Sequence, residues 1–86
     1  VLLAVMDNEA LPFALKAARE FREHGIATEI YPEPGAKMKK QLGYADGKKI
    51  AYAGIIGSEE LNNNQISLKN LTTGEQFKFN VREIIN

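Results

Sequence analysis

Two kinds of apolar patterning, in a fixed order along the chain, restrict the folds open to it. Residues 1–6 read VLLAVM and residues 50–57 read IAYAGIIG; continuous apolar runs of this length suit parallel strands covered on both faces. Residues 65–71 (QISLKNL) and 75–81 (EQFKFNV) instead alternate apolar with polar side chains around Thr72, Thr73 and Gly74. That is the pattern of an antiparallel hairpin. A further strand is expected over 26–31, where Ile26, Thr28 and Ile30 alternate with Ala27, Glu29 and Tyr31 before Pro32 and Pro34 end it.

Helical spacing fills the intervals. After the capping residues Asp7 and Asn8, the apolar positions Leu11, Ala14, Leu15, Ala18 and Phe21 fall on one helical face. Pro12 lies early, where a helix tolerates it, and Gly25 supplies a stop. Lys16 with Glu20 and Arg19 with Glu23 have the i, i+4 spacing of surface ion pairs. A second helix is expected over 36–46, with Met38, Leu42 and Ala45 inward and Lys37, Lys40 and Gln41 outward. Gly43 inside it costs about 1 kcal/mol relative to alanine. Residues 58–61 read as a short turn or single helical turn, 62–64 as a polar loop, and 81–86 as the start of a last helix. The order β, α, β, α, β and then a hairpin implies an α/β domain. Its mixed sheet has three parallel strands joined by right-handed crossovers, with two antiparallel strands at one edge.

Eighty-six residues with 44% hydrophobic and 26% charged content make one globular domain with a modest core. Absence of cysteine removes disulfides, thiol catalysis and thiolate metal sites together. No apolar run approaches the roughly 20 residues that span a bilayer, so no membrane partner is expected. The opening VLLAV is too short for a signal segment and reads as an internal strand, so residues 1–86 are expected to be a single domain excised from a longer chain.

Chemistry-bearing residues are sparse. His24 is the only histidine and sits at a helix end beside Gly25, where a cation suits the dipole better than catalysis. The adjacent Glu59 and Glu60 diverge on a helix and form no acid/base couple. Neither phosphate-loop nor dinucleotide glycine pattern occurs, and the carboxylates lack metal-ligand spacing. What stands out is charge asymmetry. The chain is neutral, yet residues 31–49 hold five of the eleven basic side chains, Lys37, Lys39, Lys40, Lys48 and Lys49, against Glu33 and Asp46. Such a run can neutralise phosphates, and Tyr31, Tyr44 and Tyr52 offer faces for stacking. Neutrality overall argues against avid non-specific binding. Specific contact with unstacked bases uses shaped polar groups, for which Glu33, Gln41, Glu60 and Asn64 are candidates.

The segments YPEPGAKMKKQLGYAD, IAYAGIIGSEEL, ISLKNLTTGEQ and DNEALPFALKAAREFREHGI together resemble, in order and over essentially the whole chain, the C-terminal anticodon-binding domain of the histidyl-tRNA synthetase family, a class IIa family. The resemblance implies a five-stranded mixed sheet flanked by three helices. It implies the anticodon arm of histidine tRNA as partner, and a cytoplasmic, homodimeric parent enzyme. Histidine, ATP and magnesium would be handled by a separate catalytic domain, leaving this one without a cofactor or catalytic residue. By position, the RNA-binding residues implied are Glu33, Gly35 and Lys37, then Glu60 as acceptor for a base edge and Lys69 as phosphate or base donor; Lys40 and Gln41 join them as candidates on the charge and polarity of the basic helix itself. Two positions depart from the pattern: Gly43 stands where a long basic side chain is common, and Ala51 where proline is. A same-fold interaction or dimerisation module without RNA recognition is the alternative. A small-molecule domain using the crevice near Asp7 and Gly57 fits the fold geometry alone.

Overall fold

In a computed structural model of the chain, residues 1–33 and 35–80 are described. The expected last helix over 81–86, and Pro34 as a strand terminator, lie outside the described residues. The elements are β1 (Leu2–Val5), a 3-10 turn (Asn8–Ala10), α1 (Leu11–Glu23), β2 (Glu29–Ile30), α2 (Met38–Gly47), β3 (Tyr52–Ile56), α3 (Ser58–Asn63), β4 (Gln65–Asn70) and β5 (Gln76–Asn80). One five-stranded sheet runs β2-β1-β3-β4-β5. β1 is parallel to β2 and β3, while β3–β4 and β4–β5 are antiparallel. This is the expected mixed sheet with three helices, α3 taking the place of the short turn read at 58–61.

All four residues of β1 are buried, as its apolar run requires of a strand with neighbours on both sides. Leu3, Val5, Ile56 and Ile66 face α1 and pack on Ala10, Ala14, Ala17, Ala18 and Phe21. Leu2 turns the other way, toward Tyr31 and Ala45 on the α2 side. The alanines let α1 lie close to the sheet. Close packing also explains Gly54 on β3, where a Cβ would meet Leu3 Cδ2 at 2.8 Å and Ile66 Cγ2 at 3.0 Å.

Three expectations are corrected. Leu15 is 56% exposed, and Ala17 takes its place in the core, because the buried stripe of α1 is centred on its alanines and Leu15 lies at the margin. On α2, Met38 is 41% exposed whereas Gln41, assigned to the outer face, is fully buried. β2 forms over two residues rather than six. Ile26 and Thr28 are engaged by the end of α1, through the Ile26 N–H on the Phe21 carbonyl and the Arg22 guanidinium on the Thr28 carbonyl. Of the two expected ion pairs on α1, Arg19–Glu23 is present at 3.2 Å. The hairpin turn has the expected chemistry: Gly74 is at φ +82°, and Asn70 Oδ1 accepts the Thr72 and Thr73 N–H groups.

Candidate nucleic-acid interface

The loop after β2 leads into α2 across the carboxyl end of β1. Tyr31 N–H donates to the Leu3 carbonyl and Gly35 N–H to the Val5 carbonyl, at 3.1 and 2.9 Å. Gly35 reaches that bond with φ +84°, a conformation that side chains other than glycine's strain to adopt. Outside the loop, Lys40 Nζ bridges back to Glu33 at 2.8 Å. Inside it, Gln41 Nε2 donates to the carbonyls of Ala36 at 2.8 Å and Val5 at 3.0 Å. The structure thus brings Glu33, Gly35, Lys37 and Lys40 together on the surface, with Gln41 beneath them and inaccessible to a ligand. Gln41 as a direct contact is corrected on that ground: both N–H groups of its amide have partners inside the fold.

The lysine run divides. Lys37, Lys39 and Lys40 stand at the start of α2, and Lys48 and Lys49 just past its end, about 15 Å away for a ten-residue helix. Lys40 is held by Glu33, whose hydrogen bond and charge raise its pKa above the ordinary lysine value. Lys48 is raised by Tyr44 and then Glu29; its Nζ lies 5.0 Å from the Tyr44 ring centroid and 3.3 Å from Glu29. Lys37, Lys39 and Lys49 are exposed and carry no ion pair among the described residues. The first turn of α2 has no side-chain cap, and the exposed Lys37 and Lys39 at that turn carry no ion pair among the described residues. That combination attracts phosphate. Gly43, on the exposed surface with open space around it, adds no side chain there.

Glu60 and Lys69 lie apart from one another, and Glu60 has a partner within the fold. Glu60 is the third residue of α3, and its Oε1 accepts the Gly57 N–H at 2.8 Å; its side chain is 11% exposed, with Oε2 3.6 Å from Lys78. Its carboxylate caps the helix rather than standing free for a base edge, because that position is one from which glutamate folds back on the helix start. Lys69 pairs in register with Ala53, at the amino end of β3. It therefore lies about 13 Å along the strand from Gly57 and away from Glu60. The hairpin lysine that does reach the α3 corner is Lys78, in register with Ser67 and 2.9 Å from Glu59. Lys78 holds the Glu59 carboxyl below the usual carboxylate range and is itself raised by that hydrogen bond. Sequence reasoning passed over Lys78, although counting outward from the Thr72–Gly74 turn places it opposite Ser67, which in turn pairs with Ile55 near the end of β3.

Other chemistry is not assembled. His24 Nδ1 lies 2.9 Å from the Glu20 carbonyl at the end of α1. Among the described residues no group of three or more His, Cys, Asp or Glu side chains is placed to hold a metal ion, and no helix is long and apolar enough to cross a membrane. At Gly57 the space beside the backbone is tight: a Cβ there would meet Glu60 Oε1 at 3.2 Å and Met6 Cβ at 3.7 Å. A recess of about 300 Å³ opens at the other ends of the strands, between Val1, Thr28, Glu29, Lys48 and Ile50.

Comparisons with known proteins agree with this geometry. A histidine–tRNA ligase from Cytophaga hutchinsonii is 45% identical over the whole chain, which spans 19% of that protein. Among solved structures, histidyl-tRNA synthetase from Nostoc sp. PCC 7120 superposes with a TM-score of 0.86 at 30% identity, covering 96% of this chain and 20% of that one. The RNA binding domain of threonyl-tRNA synthetase from Cryptosporidium parvum superposes at 0.89 with 18% identity, over 98% of this chain and 21% of that one, a likeness of fold. The sequence profile described as "Anticodon binding domain" matches residues 1–86. The profile and the Cytophaga relative both cover the whole length of the sequence, and the chain belongs to the anticodon-binding domain family.

Proposed function

We propose that the chain is the anticodon-arm-binding domain of a histidyl-tRNA synthetase, holding histidine tRNA so that its acceptor end meets a catalytic domain elsewhere in a longer protein. The observation that carries this reading is the pair Lys37 and Lys39, without an ion-pair partner among the described residues, at the start of α2 beside a loop pinned to β1, in a chain of this family. Phosphate contact from those lysines fixes the RNA, and the pinned loop meets the bases. Histidine activation with ATP and magnesium, the homodimer contacts and a cytoplasmic setting belong, in this reading, to the rest of such an enzyme.

Adding the histidine tRNA anticodon stem-loop to the labelled chain should shift backbone amide resonances at residues 33, 35–40 and 48–49, with α1 unaffected. Shifts absent throughout, with self-association that persists at high salt, would instead identify the chain as an interaction or dimerisation module.

A further inference from the structure

We infer that Gln41 is a positioning residue for the 31–37 loop, setting from inside the fold how the RNA-binding surface is presented; the inference rests on the RNA-binding reading above. Gln41 lies in a lysine-rich helix yet is fully buried. Its Nε2 makes two hydrogen bonds that join different parts of the chain, to Val5 at the end of β1 and to Ala36 in the loop, with Met6 sulfur 3.6 Å away. The same Val5 carbonyl accepts Gly35 N–H. One backbone oxygen is therefore shared by the loop and by the side chain that clamps it, and its two lone pairs are both used.

The orientation of this amide follows from its neighbours. Turned over, it would set Oε1 against two carbonyl oxygens, so nitrogen must face them. Oε1 is consequently left buried without a partner among the described residues. An apolar side chain of similar size would avoid that unpaired oxygen, which is costly in the interior. The glutamine is thus poorly suited to packing alone and well suited to tying the loop to the sheet. Lys40, the next residue back, ties the same loop from outside through Glu33. Together the two bonds of Gln41 and the one of Lys40 tie the loop to β1 and to α2.

Gln41→Met keeps the length and removes both donors. In the 86-residue chain, hydrogen exchange at the Gly35 amide should speed up by about tenfold or more while exchange at Leu3 and Ile55 changes little. Affinity for the histidine tRNA anticodon stem-loop should fall about tenfold and preference over an altered anticodon should shrink, with the salt dependence kept because the lysines remain. Gly35→Ala, strained at its positive φ but in open space, should weaken binding in the same way without touching the core. Exchange at Gly35 that is unchanged, or that rises only in step with Leu3 and Ile55, would overturn the inference. So would undiminished RNA affinity in both variants. If the wild-type chain binds no stem-loop, the RNA reading fails by itself, and the Gly35 exchange then judges the clamp separately.

Discussion

Replacing Phe21 by alanine is expected to lower the free energy of unfolding by about 3–5 kcal/mol. Phe21 is 1% exposed and sits in the last turn of α1, packed in the cluster that contains Leu3, Val5, Ile56 and Ile66. Its loss removes apolar area from the core and leaves a cavity whose alanine-lined wall has little side chain with which to fill it. A domain of this size is stable by roughly 0.05–0.15 kcal/mol per residue, so the change takes a large share of the total. Urea unfolding should show a lower midpoint with an unchanged slope. Leu15→Ala, on the same helix and in the same apolar series, should change stability by no more than about 0.5 kcal/mol. Comparable losses at the two positions would show that the buried face of α1 has been misassigned.

The second large effect concerns charge. Replacing Lys37, Lys39 and Lys49 together by alanine should make the logarithm of RNA affinity fall less steeply with the logarithm of salt concentration. The slope should be shallower by about 2, since each phosphate that a lysine no longer neutralises removes roughly 0.7–0.9 from it. Stability should stay nearly constant, since none of the three has an ion-pair partner among the described residues. Replacing Lys40 and Lys48 should change the slope less, because Glu33 and Glu29 already neutralise them. Equal slopes for the triple variant and the wild-type chain would show that these lysines do not touch the phosphates.

Much of the fold was legible because period alone separates its parts. VLLAVM suits a strand covered on both faces, and the alternation around Thr72–Gly74 suits a hairpin, as the structure has them. Where periodicity misled, distance or partners decided. Leu15 and Ala17 both fit a helical stripe, and only the approach of α1 to the sheet selects the smaller one. Gln41 is polar, so patterning sends it outward, yet two carbonyls brought together from Val5 and Ala36 give it reason to be buried. The site was legible as a neighbourhood and less so as a set of atoms. Five lysines in one run became two groups at opposite ends of α2, and opposing carboxylates cancelled two of them. Lys69 and Lys78 share a hairpin face, but register decides which one meets Glu59 and Glu60, and register is not a property of either strand alone.

Titration of the 86-residue chain with two stem-loops, identical but for the anticodon, tests the account most directly when performed at one fixed salt concentration. The account predicts tighter binding of the histidine anticodon by about tenfold or more, the effect of reading one or two bases at about 1–3 kcal/mol each. Equal affinity for both stem-loops would contradict it.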